Sequence, residues 1–431
     1  MDRRAQAEQI TSEPAPEPTV HLLLAVLACS PTPERVPPDS TATLDDSDTD
    51  VPVDPRTTLP SPSVRFATFN TSLYGLRAGD VAASLDDPSW SHAVGVASIL
   101  QRVRPDVVLL NEIDADQAVV ERLRDGFLAV SQDGLDPLDY PYVYVAPSNT
   151  GVHSGIDLNG DGVLTPDREG TDDYANDSFG YGVYEGQYGF AVLSRYPLDT
   201  PRTFQTFLWA DLPDNQLPTD FYSDEAQAVL RLSSKNHVDL PVQIDGRVVH
   251  FLVSHPTPPS FDGEEDRNGR RNHDELRFWA DYITGDLGSY HIDDAGVGGA
   301  LSTDAHFVIA GDLNADPHDG DSREGAITQL LDHPRVQSEP VPSSAGGAQQ
   351  AELQGGVNRS HEGDPAHDTA DFEDSAVGNL RLDYVLPSSD LAVLDSGVFW
   401  PEEGEPGFEH VGTFPFPVTD HRAVWVQLQV P

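Results

Sequence analysis

The chain has 431 residues, 38% of them hydrophobic, and 72 Asp+Glu against 25 Lys+Arg give a formal net charge of −47. That is enough apolar sequence for a sizeable core, in one large layered enzyme or in two to three average domains. So acidic a surface favours a soluble monomer, repels polyanions at long range and leaves no basic stripe to grip nucleic acid without sequence preference; the single cysteine, Cys29, excludes an intramolecular disulfide.

In chain order, the first feature is a short apolar run from His21 to Ala28, closed by Cys29. It is too short to span a bilayer and suits the hydrophobic segment of an export signal. Val26-Leu27-Ala28-Cys29 resembles a bacterial lipobox, so residues 1–29 are expected to be a signal peptide. A lipid on Cys29 would then be the only link to a membrane, for a protein exported to the cell surface or secreted. Residues 30–60 are rich in Pro, Asp, Ser and Thr and read as a disordered tether. The folded domain is expected over 61–431.

Val64 to Asn70 alternates apolar and polar residues as a half-buried strand does. A helix is predicted from Trp90 to Arg104, followed after Pro105-Asp106 by a buried strand, Val107–Leu110. Further strands are expected at Gly189–Ser194, Val242–Ile244, Val248–Ser254, His306–Ala310, Leu382–Leu386 and Ala423–Val430. Helices are expected at Gln117–Asp125, Asn272–Thr284 and Arg323–Leu331, and long polar loops at about 146–186, 256–271 and 337–379. No internal repeat is visible, and the pattern suits one large α/β or α+β domain decorated by functional loops.

Polar residues stand at the ends of these apolar runs: Asn70 after Phe69, Glu112 after Leu110-Asn111, His255 after Ser254, and Asp312 and Asn314 in Gly-Asp-Leu-Asn. Asp383 lies in Arg-Leu-Asp-Tyr-Val-Leu, and Asp420-His421 precedes the last strand. Each alone has an ordinary explanation, such as a turn former, a strand cap or an ion pair of Asp383 with Arg381. Six such ends in this order resemble the endonuclease/exonuclease/phosphatase superfamily, of deoxyribonuclease-like and exonuclease III-like proteins, over about residues 62–431.

The resemblance implies a four-layer α/β sandwich, two packed mixed β-sheets flanked by helices. It also implies a metal-dependent phosphoesterase that cleaves a phosphodiester or phosphomonoester by in-line attack of water. Mg²⁺, or Mn²⁺, would be held by Glu112 with Asn70 beside it, and Asp420 would either complete that site or support the neighbouring histidine. Asp312 would orient or deprotonate the attacking water, and Asn314 would steady the phosphoryl group. His421 would donate to a non-bridging oxygen while Asp383 fixes an imidazole tautomer, and His255 would donate to the phosphate or protonate the leaving group.

Two loops add candidate sites. Asp157, Asn159 and Asp161, with Gly162, have the spacing of a calcium-binding loop, although position 12 is Arg168. Arg270 and Arg271 belong to the one local cluster of arginines and would either meet a substrate phosphate or pair with Glu264, Glu265 and Asp266. These stretches, together with 363–372, resemble an exported bacterial subgroup of the superfamily and leave the substrate open. A nuclease acting on DNA or RNA is one alternative, and a non-catalytic calcium-binding surface protein on the same scaffold is another.

Overall fold

Strand β1 (Ser63–Leu73) is buried along both faces, not one. Phe66 and Val64 point into one apolar cluster, and Ala67 and Phe69 into another. A strand buried twice must lie between two layers, and the rest of the chain supplies them. The computed structural model describes residues 63–285 and 290–431. The export-signal run, Cys29 and the 30–60 tether lie outside the described residues.

The remaining strands are β2 (Val107–Ile113), β3 (Tyr142–Val145), β4 (Gly189–Ser194), β5 (Arg202–Thr203), β6 (His237–Ile244), β7 (Arg247–Ser254), β8 (His306–Asp312), β9 (Ala370–Asp371), β10 (Asn379–Leu380), β11 (Asp383–Pro387), β12 (Ala392–Val398) and β13 (Val424–Gln429). They form a six-stranded sheet in the order β12-β13-β1-β2-β4-β3, a five-stranded sheet in the order β11-β8-β7-β6-β5, and a small β10-β9 ribbon. Each large sheet contains one parallel pair, β1/β2 and β7/β8, among antiparallel neighbours. A parallel pair needs a long crossover. Helix Ser91–Val103 makes the first and helix Arg267–Thr284 the second.

Three cores follow from this arrangement. Apolar residues of both sheets interlock between them, with the Phe66 and Phe251 rings 5.3 Å apart. Helix Ser91–Val103 covers the outer face of the first sheet, and helix Arg267–Thr284 packs Leu276, Trp279 and Ile283 on the outer face of the second. The architecture is therefore the expected four layers: helix, sheet, sheet, helix. No helix of the described residues is long and apolar enough to cross a membrane.

Several elements depart from expectation. Helix Arg267–Thr284 begins five residues before Asn272, the Arg323–Leu331 helix shrinks to Thr328–Leu331, and Gln117–Leu123 continues as a π-turn to Leu128. Helix Ala345–Gln354 lies inside the stretch expected to be loop. Strands β3, β5, β9, β10 and β12 were not expected.

Phe66 is fully buried at the centre of the inter-sheet core. Replacing it with alanine is expected to cost about 3–5 kcal/mol, combining lost transfer energy with a cavity. Urea unfolding measures this, and a loss of only about 0.5 kcal/mol, as at a surface site, would contradict the two-sheet core.

Candidate active site

The topology delivers the polar strand ends to one edge of the sandwich. β1 and β2 run parallel with Asn70 opposite Asn111, so Asn70 and Glu112 emerge together. β7 and β8 are the parallel pair of the other sheet and end at Ser254 and Asp312, just ahead of His255 and Asn314. β11 is antiparallel to β8 with Asp383 directly opposite Asp312, and β13 enters beside β1 just after Asp420-His421. Crevices at the carboxyl ends of parallel strands are where α/β sheets bind ligands.

Directly opposed residues share a sheet face, so Asp312 and Asp383 form a like-charge pair that is destabilising by itself. Both are buried at 1% exposure. His421 resolves the repulsion: its Nδ1 lies 2.8 Å from Asp383 Oδ2 and its Nε2 3.7 Å from Asp312 Oδ2. The Thr369 hydroxyl donates to Asp383 Oδ2 at 2.9 Å, and the Phe372 ring stands edge-on to the imidazole. Burial pulls the imidazole towards its neutral form and Asp383 towards its acid. Two carboxylates facing one ring outweigh that, and His421 is held well above the ordinary histidine range.

Asp312 gathers donors from three segments. Asn70 Nδ2 donates to Oδ2 at 3.0 Å, the Asn314 amide donates to Oδ1 at 3.1 Å, and His255 Nε2 lies 3.4 Å from Oδ2. Burial would raise this carboxyl, but the His421 charge, His255 and Asn70 overcome it and hold it well below the carboxylate range. The Asp312 amide in turn donates to Asn111 Oδ1 at 3.3 Å, tying the two sheets together behind the site. His255 is 1% exposed, its Nδ1 has no partner among the described residues, and its pKa is pushed down to about 4 by burial and then by Lys235. Asn314 sits at φ 52° and donates its side-chain amide to the Pro256 carbonyl at 3.2 Å.

Glu112 occupies the left-handed region at φ 54°, where the β2 ladder is irregular between Asn111 and Ile113. Such strain in a non-glycine residue at a strand end is characteristic of functional positions. Its half-buried carboxylate accepts no hydrogen bond from any described residue. Burial pushes its pKa up to about 7, with His421 opposing and Asp312 and Asp420 reinforcing. The Tyr74 and Tyr188 rings, 4.4 Å apart, border it, and burial together with the Glu112 charge raises both phenols. Asp420 is half-buried with Thr419 Oγ1 3.4 Å from its Oδ1. An unpartnered carboxylate crowded by two more, with an amide oxygen at Asn70, is a hard-oxygen donor set that fits a divalent cation. Two groups among the described residues have metal-like spacing, and Glu112 and Asp420 belong to neither. One is the buried row itself, Asp312, Asp383 and His421; the other is Asp133, Glu409 and His410 at the surface, where Arg102 pairs with both acids.

The loop candidates fare differently. The Asp157 and Asp161 carboxylates accept backbone amides of Gly160, Gly162 and Val163 at 2.7–2.8 Å, and Asn159 Nδ2 donates to Asp161. Those are the contacts of an Asx-turn loop, and Arg168 at position 12 lies 3.2 Å from Asp173. Of the two alternatives for Arg271, a phosphate contact or a pair with Glu264, Glu265 and Asp266, the ion pair with these acids is not formed. Its guanidinium donates to the carbonyls of Leu232, Phe179 and Arg231, because helix Arg267–Thr284 starts early enough to bury it. Arg270 Nε donates to the Glu265 carbonyl at 3.0 Å, and Arg267 pairs with Glu265.

Other residues that shape the site gave no motif. Asn272 donates to the carbonyls of Thr257, Leu313 and Asn314, and Glu275 accepts the amides of Ser234 and Thr257, so one buried polar helix face sets three site loops. Buried Lys235 lies within electrostatic reach of Glu275, Glu112 and Asp312. Its one sequence signal is that the chain contains no other lysine.

A sequence profile described as the endonuclease/exonuclease/phosphatase family matches residues 67–421. No curated protein matches the chain. Among solved structures it is similar to an endonuclease/exonuclease/phosphatase from Beutenbergia cavernae DSM 12333, at 17% identity and TM-score 0.46 over 85% of this chain and 72% of that one. It is also similar to an endonuclease/exonuclease/phosphatase family protein from Leptotrichia buccalis C-1013-b, at 15% identity and TM-score 0.42 over 85% and 100% of the two chains. TDP2 from C. elegans follows at 16% identity and TM-score 0.41, over 86% and 77%.

Proposed function

The chain belongs to the endonuclease/exonuclease/phosphatase family, and from that premise we propose that it hydrolyses a phosphate ester by in-line attack of water at the Asp312, His421 and His255 centre. The observation that carries this reading is the buried row Asp383, His421, Asp312, with contacts of 2.8 and 3.7 Å. It keeps an anion and an imidazolium side by side at the strand ends.

Asp312, held ionised and aimed by Asn70 and Asn314, accepts a proton from the attacking water. The water oxygen forms the new bond to phosphorus, and the ester oxygen leaves with the electron pair of the broken bond. His421 Nε2 donates to a non-bridging oxygen as negative charge grows there, which is where positioned donors contribute most. Asp383 holds Nδ1 and so keeps Nε2 as the donor towards the substrate. His255 is neutral near pH 7 and acts as a hydrogen-bond partner of the phosphate or leaving oxygen, not as a cation. Glu112, Asn70 and Asp420 would hold Mg²⁺ or Mn²⁺, whose chemistry there is neutralisation of charge on the phosphoryl and leaving oxygens.

The test is hydrolysis of bis(p-nitrophenyl) phosphate and p-nitrophenyl phosphate by the purified protein. Turnover is expected with Mg²⁺ or Mn²⁺, lost with excess EDTA and restored when metal is returned. Full activity in the presence of chelator would remove the metal from the reading, and no hydrolysis of either ester would remove the reading itself.

A further inference from the structure

Lys235 is the only lysine of the chain and is 6% exposed. Its ammonium makes no hydrogen bond and no ion pair with any described residue. The nearby Glu275 carboxylate is already committed, one oxygen to the Ser234 amide at 2.9 Å and the other to the Thr257 amide at 2.7 Å. A buried cation without a partner is costly, and its burial pushes the lysine pKa down while Glu275, Glu112 and Asp312 pull it up. An arriving anion would supply the missing partner.

The place such an anion would occupy is open. Lys235 and Glu112 both line a cavity of about 620 Å³, so it adjoins the reaction centre. Small-molecule sites are typically about 300–1,000 Å³ with apolar and aromatic walls. These walls include Tyr188, Phe221, Tyr222 and Leu230, and Phe261 stands at the cavity with 88% of its surface exposed. Phe261 is held at φ 66°, a conformation that a bulky residue adopts only under constraint. An exposed, constrained aromatic ring beside an aromatic cavity, with Lys235 unpaired and Arg271, bound only to carbonyls, also in the wall, is complementary to a ring that carries an anion. A polymer of phosphates would have to approach a chain of net charge −47, whereas a small ester faces far less repulsion.

We propose that this cavity binds the organic group of the substrate, a small phosphate ester bearing a flat aromatic ring system, with Lys235 donating to a phosphoryl oxygen. The inference rests on the hydrolase reading above and specifies its substrate class.

Non-hydrolysable phosphonates test it without the bias of leaving-group reactivity. Benzylphosphonate is expected to inhibit at least about tenfold more tightly than methylphosphonate, with Lys235→Met weakening both by about 10²-fold. Phe261→Ala is expected to shrink the difference between the two. Equal inhibition by the two phosphonates, unchanged inhibition of a folded Lys235→Met variant, or better kcat/KM on plasmid DNA than on aryl esters would each overturn the proposal. Because a single lysine gives a single ¹⁵Nζ signal, ¹⁵N-lysine labelling of the unmutated protein provides a readout that needs no variant. That signal should shift on adding benzylphosphonate, and a stationary signal under inhibiting concentrations would also overturn it. If the wild type cleaves no ester, the hydrolase reading fails. If it cleaves esters but these binding differences are absent, only the substrate class fails.

Discussion

Replacing Asp312 with alanine is expected to lower kcat for a phosphate ester by about 10³-fold or more, the combined scale of general-base help and of a positioned electrostatic group. Asp312 is the meeting point of the site. It accepts from Asn70 and from the Asn314 amide, and both His255 and His421 turn an Nε2 towards the same oxygen. Truncation therefore removes the acceptor for the water proton and one of the anions that keep His421 protonated. It also leaves buried donors without partners. Breaking one member of a buried charged group typically costs about 3–5 kcal/mol, although Asp383 remains to hold His421. The rate must accordingly be compared at a temperature where circular dichroism shows the variant folded. Asp312→Asn is the sharper control because it preserves the volume. It presents an NH₂ to either Asn70 or Asn314, both of which already donate, and cannot accept the proton. Residual activity within tenfold of wild type in folded protein would place the water-activating group elsewhere.

The residues at this centre were legible because each interrupts an apolar run at its end. A structural sandwich has no use for Glu112, His255, Asp312 or His421 at the mouths of four strands, where an unpaired buried polar group costs several kcal/mol. What the pattern could not convey was partnership. Asp383 reads equally well as an ion-pair partner of Arg381 until the register sets it opposite Asp312 and within 2.8 Å of His421. Arg271 looked like a loop cation because helix Arg267–Thr284 opens on Arg-Asn-Gly-Arg-Arg and buries Arg271, Asn272, Asp274 and Glu275, a polar face that apolar periodicity does not detect. Lys235 lay in the polar run Ser-Ser-Lys-Asn, without a spacing that marks a site.

Fold elements escaped for related reasons. Strand β12 is a half-exposed edge strand with a ladder irregularity between Val393 and Asp395, so its apolar alternation is broken. Helix Ala345–Gln354 carries Gly346 and Gly347 in its first turn and has scarcely any apolar face. Its glycines are there for contact: a Cβ on Gly346 would come within 2.1 Å of the Trp400 carbonyl oxygen. Packing of backbone on backbone leaves no hydrophobic signature in a sequence.

Asp383→Asn is expected to lower kcat/KM by about 10²-fold or more at neutral pH and to move the alkaline limb of the pH–rate profile towards lower pH. The side chain of asparagine matches the shape of aspartate and retains an oxygen that can accept from His421 Nδ1. What disappears is a full negative charge 2.8 Å from the imidazole. An anion beside a cationic acid favours its protonated form, so the anion's removal lowers the histidine pKa. Burial, which opposes the imidazolium, is then resisted chiefly by Asp312 and Asp420. In the wild type the raised His421 pKa keeps Nε2 protonated through neutral pH, and activity declines only when that proton is lost on the alkaline side. In the variant the same loss begins earlier. Thr369 adds a second consequence, since its hydroxyl donates to the Asp383 oxygen that faces His421. Both contacts fall on that one oxygen, so an asparagine that places its NH₂ there faces both donors at once, and positioning suffers along with charge. The discriminating measurement is the profile and not the rate alone. A uniform loss at every pH, with the alkaline limb unmoved, would make Asp383 a packing element and remove it from control of the His421 proton.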